Sequence, residues 1–358
     1  MQLIDVGTVY ANPDALLVSR QAAFPGMALL PDGDIVAVFS IGQAFDAADM
    51  RAHVCRSSDG GRSWSAPRRL HEAEFSPPES ESFKPISLAD GTLFATGYVF
   101  ERPTPLTPIV DPTSRSLLPL HNKLSRSKDG GRSWSVPERF QIGDAGLELS
   151  GPVVQRADGE LLGAAAPFHL DTSGHEGWIV SSRDNGASWQ KKSVFFKALD
   201  GAIAPWECRL IDFGDTRIGV LFWAYDASAG RSLSYRLSIS SDGGRHFETM
   251  DTGIPAQASG GLALGPDEIL TIHAHRDAPV GLNVYRSRLI GDRLERLETL
   301  ALFADERLGR NSSASGDPFA NLRFGQPNLL RLAENEFLAY CWQLENCQHV
   351  IKTFRIRL

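Results

Sequence analysis

An eight-residue pattern, Ser-x-Asp-x-Gly-x-x-Trp, recurs in this chain and constrains its fold more than any other feature. The four copies occupy residues 57–64, 127–134, 182–189 and 240–247. The last copy has Phe in place of Trp, and each copy follows a short run with strand character. Ser and Asp side chains can accept hydrogen bonds from turn amides, and glycine adopts positive φ at little cost. The pattern is therefore typical of a tight turn between two strands, with the final aromatic folding back over the apolar face of its own hairpin.

The spacing of the turns indicates a repeat architecture. Successive Asp residues of the pattern are 70, 55 and 58 residues apart, at positions Asp59, Asp129, Asp184 and Asp242. Periods of this length with strands on both sides favour propeller blades. The turns resemble Asp-boxes, and the chain is identified as a member of the sialidase (neuraminidase) superfamily. The resemblance implies an all-β, six-bladed β-propeller whose boxes join the third and fourth strands of the blades, away from the active site.

A second repeat supports six blades. A strand, an Asp-Gly turn and another strand occur around Asp32, Asp90 and Asp158, and looser versions follow at residues 207–223, 261–273 and 327–342. The sixth blade lacks an outer strand, while residues 3–10 form a strand before the first blade. We expect residues 3–10 to pair with residues 349–356, because closing the ring removes exposed sheet edges. No linker divides the chain, so we predict one domain over residues 1–358.

Composition restricts the class of partner. The chain has 358 residues, a formal net charge of −7, 42% hydrophobic residues and 22% charged residues. The negative charge argues against nucleic acid or an anionic membrane, and no apolar run is long enough to span a bilayer. The first residues have no basic, apolar leader pattern, so we expect a cytoplasmic protein with free cysteines. The four cysteines have no metal-ligand spacing, and we expect neither a metal nor a cofactor.

The strand order predicts which loops share a face. Segments that begin a first strand or follow a second strand lie opposite the boxes, so site residues should come from there. The catalytic candidates on this basis are Glu207, Asp46 and Asp49. The candidates for substrate binding are Arg20, Arg209, Arg276, Arg323, Gln326, Tyr225, His273, His275 and Trp342.

The resemblance assigns roles to some of these candidates. Sialidases bind a substrate carboxylate with three arginines, use a tyrosine nucleophile assisted by a glutamate, and use an aspartate as acid and base. Glu207 matches the glutamate, Asp46 or Asp49 the aspartate, and Arg276 the third arginine. The positions of the first arginine and of the tyrosine hold Ala23 and Gln326. We therefore expect a glycosidase that acts on an acidic or polar sugar but hydrolyses ordinary sialosides poorly.

Two alternatives remain open from the sequence. A polysaccharide lyase would use Tyr225 with His273 or His275 to abstract a proton beside a uronic carboxylate. A non-catalytic module would stack sugars on tryptophans, namely Trp178, Trp206, Trp223 and Trp342. For the enzyme, we predict that Glu207 opens the first strand of blade four. It should then line the main pocket with Arg276 and at least one of Asp46 and Asp49.

Overall fold

The computed structural model describes residues 1–104, 107–111, 114, 116–309 and 322–358, and it forms a six-bladed β-propeller. Each blade is an antiparallel sheet of four main strands, and the described residues contain a single short 3-10 helix, Glu306–Leu308. The first strands of blades four, five, six, one and two contact one another in turn around the axis. The predicted fold class and six-blade count are confirmed.

Most strands on the inner side of the blades are six to ten residues long, and the first strand of blade three is split in two. The first strands of blades one to six are Gln21–Leu29, Glu79–Ser87, Leu147–Glu148 with Val154–Gln155, Ile203–Asp212, Ala258–Ala263 and Phe324–Ala333. The second strands are Ile35–Gly42, Leu93–Glu101, Leu161–Pro167, Ile218–Asp226, Glu268–His275 and Glu336–Glu345. The third strands are Arg51–Ser57, Leu120–Ser127, Gly177–Ser182, Arg236–Ser240, Gly281–Ile290 and Gln348–Arg357. The outer strands are Arg68–Arg69, Glu138–Phe140, Gln190–Phe196, Glu248–Asp251, Arg293–Ala304 and Gln2–Tyr10, and a short strand Arg231–Ser232 also pairs in blade four.

The N-terminal strand closes the ring. Gln2–Tyr10 pairs antiparallel with Gln348–Arg357, from Gln2 opposite Arg357 to Tyr10 opposite Ile351. The amino group of Met1 also forms an ion pair with Glu298 of blade five. The third strand of blade six is thereby covered by an outer strand, and the predicted closure is confirmed.

The box turns are built from local hydrogen bonds. In blade one, Asp59 Oδ1 accepts from the amides of Arg62 and Ser63, both at 2.9 Å, and Ser57 Oγ accepts from the Gly61 amide at 2.7 Å. The same contacts recur in the other three copies, with minor variation. Hydrogen bonds from Ser188 lower the pKa of Asp184 to about 2. These aspartates hold turns on the face where the second strands begin.

The box aromatics pack across blade boundaries and not, as the sequence suggested, over their own hairpins. Trp189 of blade three stacks on Phe140 and Phe94 of blade two, with ring centroids 5.1 and 6.5 Å apart. Arg126 Nη2 of blade two donates to the Asn185 carbonyl in the same box at 2.8 Å. Arg68 of blade one likewise donates to a carbonyl in the box of blade two. Each box therefore fastens its blade to the preceding one.

The four cysteines are free thiols. Cys55, Cys208 and Cys341 are buried, while Cys347 is exposed in the last hairpin. None of the helical segments among the described residues has the length and apolarity needed to cross a membrane.

Candidate active site

Three of the strands around the axis carry a strained bulge. Phe24, Glu207 and Gln326 have φ values of 59°, 52° and 42°, and the strand pairing is irregular beside each of them. Positive φ is costly for residues with a side chain, and such strain concentrates at functional sites. A bulge also redirects a side chain out of its regular alternation. The bulges therefore mark the channel between blades one, four and six as the candidate site.

Glu207 is the centre of a polar cluster at these bulges. Glu207 is the fifth residue of its ten-residue strand. The prediction that it begins this strand is therefore wrong, because it lies in the middle. Its Oε2 lies 2.6 Å from Arg209 Nη2, and its Oε1 accepts from Gln326 Nε2 at 3.1 Å. Its side chain is 15% exposed. Glu207 is therefore held by two donors while part of the carboxylate still faces the channel.

Arg209 connects this cluster to blade three. Its Nη1 donates to Ser150 Oγ at 2.8 Å and to the Cys208 carbonyl at 3.0 Å. Blades three and four approach so closely here that a Cβ on Gly151 would lie 2.7 Å from the Cys208 oxygen. Glycine is required at that position, and the approach brings the end of the split strand of blade three to Glu207.

Glu148, at that strand end, is the second carboxyl group of the cluster. Its Oε2 accepts from the Glu207 amide at 3.3 Å, and the side chain is buried. Burial, reinforced by the negative charge of Glu207, raises the pKa of Glu148 to about 8, despite the opposing effects of the Glu207 amide and Arg209. Glu148 is therefore protonated at neutral pH beside a carboxylate that is paired with an arginine.

Lys84 and Tyr98 of blade two complete the cluster. Lys84 is 2% exposed, and its Nζ donates to the Phe24 carbonyl at 2.9 Å and to Ser82 Oγ at 3.0 Å. Burial, together with the positive charge of Arg209, lowers the pKa of Lys84 to about 7. Burial and the charges of Glu148 and Glu207 raise the pKa of Tyr98. Neither Lys84 nor Tyr98 is among the site candidates predicted from the sequence.

Aromatic rings lie beside the polar cluster. Phe24 and Phe45 are partly exposed, with ring centroids 5.2 Å apart. Across the channel, Trp206 stacks on Tyr225 at 4.5 Å. This arrangement places apolar ring faces next to a set of hydrogen-bonding groups.

Asp46 and Asp49 are engaged in loop contacts and not with Glu207. Asp46 Oδ1 lies 2.8 Å from Arg102 Nη1, and its Oδ2 accepts from the Ile109 amide. Asp49 Oδ1 accepts from the Gln43 amide at 3.1 Å. Among the described residues neither aspartate forms a hydrogen bond or ion pair with Glu207, and the shared pocket stays a prediction.

The three remaining arginine candidates are dispersed. Arg20 is exposed and lies near Tyr10, and Arg323 donates to the Arg307 carbonyl. Arg276 is buried, and its Nε donates to the Phe324 carbonyl at 3.0 Å. A Cβ on Gly325 would lie 2.2 Å from Arg276 Nη2, so a larger residue there would have to displace this guanidinium. Arg276 thus lies beside the bulge of Gln326 but makes no recorded contact with Glu207.

Three of the predicted substrate-binding residues, His273, His275 and Trp342, are buried in the structure. His273 is 0% exposed, and Trp342 is 1% exposed in the core between blades six and one. His275 uses both ring nitrogens, with the Pro255 carbonyl at 3.0 Å and the Tyr285 hydroxyl at 2.9 Å. His273 exposes no atom to a substrate, both ring nitrogens of His275 are bonded within the protein, and a stacking tryptophan must expose a ring face. His273, His275 and Trp342 therefore belong to the packing of blades five and six.

A cavity lies away from this polar cluster. It has a volume of about 620 Å³ and is on the box face between blades four and five. Phe213, Met250 and Asp267 are among its lining residues, and neither Glu207 nor Arg276 is. Glu207 and Arg276 therefore do not line this cavity, and their placement in one pocket on the propeller axis stays a prediction.

The family follows from comparison with known sequences. The sequence profile of the BNR repeat-like domain matches residues 109–306, which is more than half of the chain. The chain belongs to the BNR repeat-like domain family. Its fold is that of a sialidase-like propeller. No curated protein matches its sequence.

Solved structures show the same architecture. A protein of unknown function from Dyadobacter fermentans superposes with a TM-score of 0.78 at 17% identity, covering 100% of this chain and 99% of that one. A Hadza microbial sialidase gives 0.66 at 16% identity, covering 94% of this chain and 66% of that one. The intramolecular trans-sialidase from Ruminococcus gnavus gives 0.67 at 11% identity, covering 98% and 97%. At these identities the likeness establishes the fold of the sialidase-like propeller.

Proposed function

We propose that this propeller is a glycoside hydrolase whose reaction takes place at the polar cluster on its axis. Glu148 donates a proton to the oxygen of the leaving group, and Glu207 acts as the nucleophile or the base. Most glycosidases use a pair of carboxyl groups, one as the acid and the other as the base or nucleophile. The membership of the family and the sialidases among the structural neighbours support a carbohydrate substrate.

The observation that carries the proposal is the contact between the carboxyl group of Glu148 and the backbone amide of Glu207. Glu148 Oε2 accepts from the Glu207 amide at 3.3 Å, and burial beside Glu207 keeps Glu148 protonated at neutral pH. Arg209 pairs with Glu207 and supplies the charge that a carboxylate needs in a buried site. One group is thus ready to give a proton and the other to receive one or to attack carbon. The partly exposed ring of Phe24 offers an apolar surface for a sugar beside them.

Fluorogenic glycosides test the proposal. We expect the wild type to release 4-methylumbelliferone from at least one glycoside, and Glu207→Gln and Glu148→Gln to lower turnover by about a hundredfold or more. Glu268→Gln is the matched control, because Glu268 also pairs with an arginine, Arg288 at 2.7 Å, but lies at the box end of blade five. Full activity of Glu207→Gln, or equal losses in Glu268→Gln, would contradict the assignment.

Ordinary sialosides should be poor substrates. Ala23 and Gln326 stand where the resemblance calls for an arginine and a tyrosine. Arg20, Arg276 and Arg323 are dispersed, and Arg209 is committed to Glu207, so a cluster of arginines for a sialic acid carboxylate is not assembled among the described residues. Rapid release of the fluorophore from 4-methylumbelliferyl sialoside would show that this expectation is wrong.

A further inference from the structure

Gln326 has a buried oxygen whose hydrogen-bonding capacity is unused. The residue is 4% exposed, and its Nε2 donates to Glu207 Oε1 at 3.1 Å. A carboxylate only accepts hydrogen bonds, so the amide must turn its nitrogen toward Glu207 and its oxygen away. Within the described ranges, Gln326 Oε1 has no hydrogen-bond donor, although the atom is buried.

The backbone of Gln326 is strained where it positions this oxygen. Gln326 has a φ of 42° at the bulge of blade six, a conformation that residues with a side chain rarely adopt. A buried acceptor without a donor is also costly. Two unfavourable features at one residue, directly beside Glu207, are typical of a group that is completed by a ligand.

From these contacts, and resting on the proposed hydrolase function, we infer that Gln326 Oε1 accepts a hydrogen bond from a hydroxyl or amide N–H of a neutral sugar. The substrate class is then a neutral hexoside or N-acetylhexosaminide. The sugar group at Gln326 is a donor, and Gln326 is a specificity-determining residue.

The surrounding charges disfavour an acidic sugar at the same place. A substrate carboxylate at Gln326 would face the amide oxygen and the Glu207 carboxylate, which are both acceptors. Arg209 is already shared among Glu207, Ser150 Oγ and the Cys208 carbonyl. Lys84 donates to the Phe24 carbonyl and Ser82 Oγ, and burial lowers its pKa to about 7. Arg209 and Lys84 are therefore not positioned to bind an additional carboxylate. A sugar hydroxyl, in contrast, can donate directly to Gln326 Oε1.

The apolar side of the channel fits a neutral ring. Phe24, whose carbonyl is held by Lys84, lies on the bulge of blade one, adjacent to blade six, and pairs with Phe45. Both rings are partly exposed. A pyranose has one face of C–H groups that can pack on such rings, while its hydroxyls point to the rim.

The test uses two sets of 4-methylumbelliferyl glycosides. The neutral set holds the β-galactoside, the β-glucoside and the N-acetyl-β-glucosaminide, and the acidic set holds the sialoside and the β-glucuronide. We expect hydrolysis within the neutral set only. Gln326→Met, which keeps the volume but removes the amide, should lower kcat/KM by about ten- to a hundredfold. Gln326→Asn keeps an amide with a shorter reach and should retain an intermediate rate.

A matched control comes from another inner strand. Gln155 of blade three uses its Oε1 to accept from the Ala89 amide at 2.7 Å, at the box end of the channel. Gln155→Met should leave kcat/KM unchanged. Thermal unfolding and circular dichroism identify a misfolded Gln326 variant, and in that case the comparison rests on Gln326→Asn.

The outcomes separate this inference from the proposed function. Hydrolysis of acidic glycosides alone would overturn the neutral-sugar inference and leave the hydrolase proposal standing. If no glycoside is cleaved, calorimetric binding of the three neutral glycosides decides. Binding that is weakened in Gln326→Met would support the recognition role and overturn hydrolysis, whereas no binding would overturn both. Equal kcat/KM in folded Gln326→Met and the wild type would also overturn the inference.

Discussion

The position of Glu207 could be predicted from the sequence, whereas its contact with Glu148 could not. Glu207 stands between Trp206 and Cys208, so its placement on an inner strand with an apolar neighbourhood could be predicted from the sequence. Its contact with Glu148 spans 59 residues and depends on the split strand of blade three and the close approach at Gly151. No local pattern encodes that approach. The raised pKa of Glu148 comes from its burial in this tertiary arrangement and from the charge of Glu207, and it follows only from the structure.

The pKa of Glu148 predicts a pH-dependent stability difference for Glu148→Gln. Its folded-state pKa is about 8, against an ordinary value of 4.5. The contribution of the wild-type group is complete below pH 4.5 and is lost as the pH rises to about 8, because the unfolded chain ionises first. As the pH rises from 5 to 8, the Tm of Glu148→Gln should therefore increase relative to the Tm of the wild type. Hydrogen bonds from Arg288 and Arg286 lower the pKa of Glu268, so Glu268→Gln should lose stability by a constant amount over this range. A constant difference for Glu148→Gln would contradict the burial effect.

At the scale of elements, the box turns were predictable and their main packing role was not. The bonds from Asp59 reach residues no more than four positions away, so eight consecutive residues specify the turn. The partners of the box aromatics lie in another blade, as Trp189 and Phe140 do. The bulges at Phe24 and Gln326 were also missed, because each precedes a proline and reads as an ordinary turn signal. Contacts between blades require knowing which blades are neighbours.

Replacing Asp129 by Ala tests the structural role of a box. Ser127 Oγ and the Ser133 amide each donate to Asp129 Oδ1 at 2.8 Å. Losing these turn contacts should lower the free energy of unfolding by about 1–2 kcal/mol. Activity per folded molecule should not change, since the boxes lie on the face opposite the proposed site. Lys128→Ala, at an exposed position in the same turn, is the control for urea unfolding. A loss of turnover without a loss of stability would mean that the two faces have been assigned in reverse.

At the scale of the whole molecule, ring closure could be predicted from an imbalance in the strand count. The sequence predicts six strand pairs. Blade six then lacks an outer strand, while the N-terminal strand at residues 3–10 belongs to no predicted blade. Gln2–Tyr10 fills that position in the structure. The geometry inside the ring could not be predicted in this way, because Arg276, Asp46 and Arg323 take part in contacts that depend on loop shape.

Deleting residues 1–10 tests the closure. The deletion should expose the edge of Gln348–Arg357 and produce aggregation and a lower Tm. The control is a circular permutant in which a short glycine-rich linker joins Leu358 to Met1 and the chain opens before residue 11. Gln2 and Arg357 are paired, so a short linker suffices, and the permutant should remain monomeric. A deletion variant that stays monomeric at an unchanged Tm would contradict closure by this strand.

The central claim is that a protonated carboxyl group lies beside Glu207 on the propeller axis. Carboxyl ¹³C NMR of glutamate-labelled protein, followed from pH 4 to 10, measures this without knowledge of the substrate. The account predicts one glutamate that titrates at about pH 8, is missing in Glu148→Gln, and moves to lower pH in Glu207→Gln because a neighbouring negative charge is removed. Titration of every glutamate below about pH 5 would contradict it.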